Sequence, residues 1–140
     1  MKIKPSFPLA VIVGALLLAG CATPFRAPPG AAHLQLDRGD SPTVIVDKIW
    51  LARGTGPLVV AGSVVRRLDV TDTTQTHLDV TLYDAGGGVL RRTVEYFDPR
   101  QILPQHRRPA TADYRIILDP LPAGAVRVEV RAHDGSHENP

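Results

Sequence analysis

The amino-acid sequence predicts an all-β protein, an antiparallel β-sandwich of two sheets with six to seven strands. Three observations predict it: apolar and polar residues alternate from residue 43 onward, turn-forming Gly, Pro and Asp interrupt the alternation, and no segment has the apolar spacing of a helix. Short strands with turns about every eight to twelve residues are typical of a sandwich. We expect strands at residues 43–51, 58–65, 77–84, 89–97, 111–118 and 125–132.

The N-terminus has the features of an export signal. Lys2 and Lys4 form a short positive head, and an apolar run at residues 9–18 follows. A run of this length is about half of the roughly 20 residues that span a bilayer, so it fits a signal peptide at residues 1–20 better than a membrane helix. The signal ends in small residues directly before Cys21, the single cysteine of the chain.

The segment Leu18-Ala19-Gly20-Cys21 resembles the lipobox of bacterial lipoproteins. The resemblance implies cleavage between Gly20 and Cys21, a diacylglycerol on the Cys21 thiol and usually an acyl chain on the new amino group. It thus implies membrane lipid as a partner, held through acylated Cys21. In that family an aspartate after the cysteine retains the protein in the inner membrane, so Ala22 implies the outer membrane, with the domain facing the periplasm. The alternative is an ordinary signal peptide or membrane anchor with a cysteine there by chance.

The composition of the remaining chain excludes several classes of function. Cleavage before Cys21 would leave 120 of the 140 residues, enough for one small domain and a linker. The chain has 16 basic and 14 acidic residues, and since Lys2 and Lys4 leave with the signal, the charges of the rest balance. We therefore expect no nucleic-acid partner. With the cysteine lipidated, no thiol is left for a disulfide or a thiolate metal site.

Residues 21–42 are expected to comprise the lipidated cysteine and a flexible tether. Pro24, Pro28, Pro29 and several Gly and Ala residues leave little apolar periodicity there. At roughly 3 Å per residue, the extended tether would hold the domain on the order of 60 Å from the membrane. Two alternating leucines favour, as an alternative, a first edge strand at residues 33–37.

The sandwich domain is expected at residues 43–134, with a disordered tail at residues 135–140. In its first strand Val44, Val46 and Trp50 share one face. Apolar residues also occupy the opposite face, which predicts that this strand is buried on both sides.

The clearest strand, residues 77–84, leads into a predicted hairpin. Its apolar face, which includes Leu82, points toward the core, whereas Thr81 on the opposite face is expected to be exposed or half exposed. Three glycines at residues 86–88 can adopt the positive φ angles of a tight turn. Residues 89–97 should therefore return antiparallel.

Two further strands close the sandwich. The prolines of residues 101–109 keep that connection out of the sheet, because proline lacks a hydrogen-bond donor for the ladder. The residues of the last two strands that are expected to face the core are Tyr114, Ile116, Leu118, Val126, Val128 and Val130.

The predicted hairpin also carries a second resemblance. Val80-Thr81-Leu82-Tyr83-Asp84, followed by Gly86-Gly87-Gly88-Val89-Leu90, resembles the F-x-L-Y-D hairpin of small immunoglobulin-like domains found in bacterial lipoproteins and surface proteins. Val80 stands where that family has phenylalanine, and the match covers about a dozen residues. The resemblance implies an immunoglobulin-like sandwich with an adhesive or scaffolding role, and it implies no catalytic residue.

Catalytic and metal-binding motifs are nearly absent from the sequence. It contains no H-E-x-x-H, G-x-S-x-G or phosphate-loop pattern, so we expect neither an enzyme nor a cofactor. His133 and His137, with an aspartate between them, are the best metal candidates, although a solvated tail explains them as well. Asp69 and Asp72 lie among threonines, but their spacing does not match a calcium loop.

Three arginine pairs are the remaining candidates for ligand binding. A pair at the end of a strand would lie at a pole of the sandwich, where arginines bind phosphate or carboxylate groups of lipopolysaccharide, lipid or peptidoglycan. Scattered charges that serve solubility are the alternative explanation. The pairs are Arg66-Arg67, Arg91-Arg92 and Arg107-Arg108.

Two hypotheses about function follow. The first is a non-catalytic lipoprotein, anchored in the outer membrane and facing the periplasm, that binds a protein partner or acts as a scaffold in an envelope assembly through edge strands or end loops. The alternative is a module that binds an anionic envelope ligand through the arginine pairs. An enzyme is the least supported possibility.

Overall fold

The computed structural model describes residues 33–52, 56–105 and 110–136, and the regular elements in these ranges are all strands. In chain order they are β1 (Gln35–Gly39), β2 (Val44–Leu51), β3 (Val59–Arg66), β4 (Thr76–Tyr83), β5 (Val89–Glu95), β6 (Phe97–Asp98), β7 (Thr111–Ile117) and β8 (Arg127–Asp134).

The strands form two four-stranded sheets packed as a sandwich. One sheet has the order β1-β8-β4-β5 and the other the order β2-β3-β7-β6. Neighbouring strands are antiparallel except for β1 and β8, which are parallel. The predicted all-β, immunoglobulin-like sandwich is therefore confirmed, with eight strands because β1 and β6 join the six expected ones.

Alternation of apolar residues produces the core, as the sequence predicts. In β4, Leu78, Val80 and Leu82 are all inaccessible to solvent, and they lie beside the inaccessible Val128 and Val130 of β8. Burial of this apolar surface is the main stabilising contribution in a domain without a disulfide. The other large side chains buried between the sheets are Val44, Val46, Val60, Val64, Phe97, Ile102, Tyr114, Ile116 and Leu118.

β1 corrects the predicted boundary between tether and domain. The edge strand that was the alternative for this region exists, and it pairs in parallel with β8 from Gln35 opposite Arg127 to Gly39 opposite Arg131. Leu34 is buried in the core, so apolar contacts hold this segment despite its glycine and proline neighbours. The folded domain thus begins before residue 43. The rest of the predicted tether, up to residue 32, lies outside the described residues.

A β-bulge in β2 corrects the predicted position of Trp50. Val46 lies opposite Val64, but Lys48 lies opposite the next residue of β3, Ser63, so Asp47 is an extra residue. An extra residue inverts the inward and outward alternation of the rest of the strand. Ile49 and Leu51 consequently pack against the core, and Trp50 does not share the buried face of Val44 and Val46 but is 45 % exposed.

Gly62 of β3 leaves room for the side chain of Tyr114. Tyr114 lies opposite Gly62 on β7, and its hydroxyl donates a hydrogen bond of 2.8 Å to the backbone carbonyl of Lys48 on β2. A Cβ atom at position 62 would overlap both the Tyr114 hydroxyl and that carbonyl oxygen. Burial raises the pKa of the Tyr114 hydroxyl above its ordinary value. The tyrosine thus links three strands across a position where only glycine fits.

The chain passes from one sheet to the other between β5 and β6. The sequence predicts one strand at residues 89–97, but the pairing with β4 ends at Glu95. Phe97, two residues on, is buried and lies opposite Tyr114 in the second sheet. β5 and β6 are therefore terminal strands of different sheets.

Two further predictions about which side chains are exposed are wrong. Thr81 is only 5 % exposed, because it lies between Arg92 of β5 and Glu129 of β8, whose long side chains cover it on the outer face of the sheet. Val126 was expected to face the core but is exposed, since it precedes β8. Leu82, in contrast, is buried as predicted.

One end of the sandwich is held together by Asp134, the last residue of β8. Its carboxylate accepts hydrogen bonds from the hydroxyls of Ser41 (2.9 Å), Thr43 (2.7 Å) and Thr76 (2.8 Å). Burial alone would raise the pKa of Asp134, but these hydrogen bonds and one from the Thr43 backbone lower it overall. Thr43 leads into β2 and Thr76 begins β4, so this Asp134 cluster connects the two sheets.

Candidate functional site

Five of the predicted site residues lie outside the described part of the chain. They are the predicted cleavage and lipidation residues and three members of the predicted ligand and metal sites, and their roles stay predictions. These residues are Gly20, Cys21, Arg107, Arg108 and His137.

The first arginine pair lies beside the Asp134 cluster. Arg66 ends β3 with 9 % of its surface exposed, and its Nε has no hydrogen-bond partner among the described residues. Arg67 donates from Nε to the Ser41 carbonyl at 2.9 Å, and its Nη2 lies 3.9 Å from an Asp40 carboxylate oxygen. Arg67 therefore stabilises the loop before β2.

The second arginine pair lies at the opposite end of the sandwich. Arg91 is opposite Leu82, next to the hairpin turn, whereas the far end of β4 joins the Asp134 cluster. Adjacent strand residues point to opposite faces, so Arg91 points inward between the sheets and Arg92 outward. The structure therefore does not bring the two described arginine pairs together.

The metal candidate His133 belongs to β8 and not to a tail. It lies opposite His77 of β4, with the two ring centres 5.1 Å apart. Asp79 is close to both rings, 3.6 Å from His77 Nε2 and 3.9 Å from His133 Nδ1. Within the described residues, no group of three or more His, Cys, Asp or Glu side chains is arranged to hold a metal ion.

The outer face of the β1-β8-β4-β5 sheet is polar, and its charges compensate one another. Glu129 accepts hydrogen bonds from Tyr83 (2.8 Å) and Arg131, and Arg127 lies 3.8 Å above the Tyr83 ring and 3.2 Å from Asp37. Burial would raise the pKa of Glu129, but these hydrogen bonds and the nearby arginines lower it overall. A shallow hollow of about 280 Å³ in this face is therefore bordered by side chains that already pair with one another.

The open edge of β5 is the surface best suited to a partner. β5 is last in its sheet and pairs with β4 alone among the strands that the structure describes. Of the nine large apolar side chains exposed in the described residues, four lie on or just after β5, which concentrates apolar surface on this edge. They are Val89, Leu90, Val94 and Tyr96.

The inward face of β5 carries charge. Arg91, Thr93 and Glu95 lie opposite the three buried residues of β4, Leu82, Val80 and Leu78. The Nε and Nη2 atoms of Arg91 are buried and lack a hydrogen-bond partner in the described part of the protein. We refer to residues 89–96, with both faces, as the β5 edge.

The sequence alone does not identify the β5 edge. It predicts the return strand after the hairpin, but periodicity in one strand does not reveal which strands remain unpaired at the end of a sheet. The available signal was the set of charged and polar residues at 91, 93 and 95, which share one face where a buried strand would carry apolar residues.

Two further findings bear on function. In residues 33–52, 56–105 and 110–136 no helix has both the length and the hydrophobicity to cross a membrane. No protein-family model, no curated protein and no solved structure matches the chain.

Proposed function

We propose that this protein is a lipid-anchored, non-catalytic module on the periplasmic side of the bacterial outer membrane, and that it binds a protein partner by strand addition along β5. The single observation that carries the binding role is the open edge of β5 with its exposed apolar side chains. The lipobox resemblance at Cys21 supports the anchor, and Ala22 after it supports the outer membrane.

Strand addition is the binding mode that suits the β5 edge. The unpaired side of a terminal strand presents N–H and C=O groups to which an extended segment of another chain can bond. Val94 is 40 % and Tyr96 52 % exposed on the outward face, where side chains of an added strand would contact them. Arg100 lies 4.1 Å above the Tyr96 ring and donates to the Thr74 carbonyl at 2.6 Å, so the aromatic side chain is held in place.

The proposed anchor predicts the behaviour of the Cys21→Ser variant. The variant should fold but leave the membrane, because two or more acyl chains anchor stably and all of them would depend on this residue. Fractionation of cells should find the variant in the soluble periplasmic fraction. Ala22→Ser, which keeps the cysteine, should remain with the outer membrane. If the Cys21→Ser protein sediments with membranes after a salt wash, the anchor lies elsewhere.

The proposed binding edge predicts where a partner contacts the protein. A photo-crosslinking amino acid at position 94 should give a discrete adduct with an envelope protein in living cells. The same amino acid at position 117 is the control, because Ile117 is also exposed (59 %) but lies on the other sheet. Val94→Lys should reduce the yield of an adduct formed from position 96 at least about tenfold, since lysine on an edge opposes strand addition. Equal adducts from 94 and 117 would contradict the proposal.

Binding of an anionic envelope ligand is supported by one observation, the buried guanidinium nitrogens that lack a hydrogen-bond partner within the described structure, Nε of Arg66 and Nε and Nη2 of Arg91. The separation of Arg66 and Arg91 at opposite ends of the sandwich argues against a shared arginine site for one small ligand. The dependence of binding on ionic strength distinguishes the two functions. Arginine contacts with an exposed anion weaken steeply as the salt concentration increases, whereas strand pairing does not.

A further inference from the structure

We propose that the partner of β5 is β5 of a second copy of this chain, paired antiparallel around a twofold axis at Thr93. The inference rests on the proposed function, in that β5 is taken as the binding edge, and it specifies the occupant. The pairing would join the two β1-β8-β4-β5 sheets into one continuous sheet of eight strands.

The order of charges along the inward face of β5 is complementary to itself. Arg91 and Glu95 lie on the same face, and each is two residues from Thr93. In an antiparallel pair centred on Thr93, Arg91 of one copy lies opposite Glu95 of the second copy, and the reverse contact forms at the same time. A twofold interface requires this reciprocity, since the same surface must complement itself.

The environment of Arg91 calls for an additional acceptor. Its Nε and Nη2 atoms are buried and have no acceptor among the described residues, in a position beside the inaccessible Leu82. Buried guanidinium nitrogens without an acceptor are costly, and a carboxylate offers the strongest and geometrically best-matched acceptor. Glu95 of the second copy would supply that carboxylate on the correct face of the sheet.

The outward face of β5 also suits pairing with a second copy. The same register places Arg92 opposite Val94 of the second copy, and it brings Leu90, the extra residue of a bulge in β5, near Tyr96, which follows the end of β5 in the second copy. Leu90, Val94 and Tyr96 are exposed in the single chain and would contact each other or the aliphatic part of Arg92 across the junction. One register therefore covers three of the four exposed apolar side chains of the β5 edge and pairs both inward charges.

The test exchanges the charges in the full chain, purified with its lipid anchor in detergent and measured by sedimentation equilibrium. The wild-type protein should dimerise. Arg91→Glu and Glu95→Arg should each weaken self-association at least about 100-fold, because like charges would then face each other twice. The double variant Arg91→Glu/Glu95→Arg should restore the dimer to within about tenfold, and a mixture of the two single variants should form a heterodimer.

Two controls make the result specific. Arg115→Glu makes the same charge change at an exposed position of β7 and should leave the dimer unchanged within about threefold. Thr93→Cys should form a disulfide-linked dimer under mild oxidation, because position 93 meets itself at the axis and the Cys21 thiol carries lipid, whereas Ile117→Cys should not. Circular dichroism establishes that each variant is folded.

The outcomes separate this inference from the proposed function. A wild-type chain that stays monomeric, or equal weakening by Arg91→Glu and Arg115→Glu, overturns the second copy as partner. If the chain is monomeric but position 94 still cross-links to a different envelope protein, the binding edge stands and only its occupant is wrong. Absence of both the dimer and the cross-link overturns both proposals.

Discussion

Gly62→Ala is expected to lower the free energy of unfolding by about 3 kcal/mol or more, a large share of the roughly 5 to 15 kcal/mol that holds a typical small domain folded. The added methyl group would overlap the Tyr114 hydroxyl and the Lys48 carbonyl oxygen. Both atoms belong to paired strands inside the sandwich. The overlap can be removed only if Tyr114 leaves its site or β2 separates from β3. Urea unfolding should show a much lower midpoint, or no folded protein.

Two variants separate steric overlap from the general effect of losing a glycine. Gly56→Ala is the matched control, because a Cβ atom there would meet nothing within 4 Å, and its stability should change by less than about 0.5 kcal/mol. Tyr114→Phe keeps the ring and removes the hydrogen bond to Lys48, and it should cost on the order of 1 kcal/mol. Similar losses for Gly62→Ala and Gly56→Ala would show that the Tyr114 contact does not constrain position 62.

Leu82→Ala is expected to lower the free energy of unfolding by about 2 to 5 kcal/mol, the usual range for a buried leucine whose removal leaves a cavity. Leu82 is inaccessible to solvent and lies between Arg91 of β5 and Val128 of β8 at the centre of its sheet. The sheet cannot close around the cavity without disturbing both pairings. The change should appear as a lower urea midpoint with little change in the slope of the transition.

Thr81→Ala is the control for Leu82→Ala in the same strand. Thr81 is also buried, but on the outer face under Arg92 and Glu129, whose side chains can move to fill the space. Thr81→Ala should lower the free energy of unfolding by about 1 kcal/mol. A larger loss for Thr81→Ala than for Leu82→Ala would mean that β4 presents its opposite face to the core.

Local patterns were sufficient to predict the strands whose two faces differ clearly. In β4 and β7 the apolar residues alternate with polar ones, so the sequence alone identifies Leu82 and Ile116 as core residues. Features set by pairing were not predictable. The bulge at Asp47 exists only in relation to β3, and it turned Trp50 outward. β1 depends on parallel pairing with β8, which is more than 80 residues away in the chain.

The candidate site shows the same dependence on pairing. Composition identified Arg91-Arg92 as a possible binding pair, but only the register with β4 shows that Arg91 points inward and shares a face with Glu95. The covering of Thr81 likewise comes from side chains on two other strands. Which strand ends a sheet is a property of the whole fold, and the proposed role of β5 depends on it.

The parallel pairing of β1 has a mechanical consequence. Among the described strands, β1 is the first that tension arriving from the N-terminal side of the chain would load. When two strands are pulled along their axes in opposite senses, the bonds between them bear the load together, so the five residue pairs between β1 and β8 would have to shear at once. Arg38 of β1 also donates to the carbonyl oxygens of Val46 and Asp47 on β2, which extends the resistance to the second sheet. A domain pulled from this side would therefore keep its sandwich intact under loads that would peel a hairpin open pair by pair.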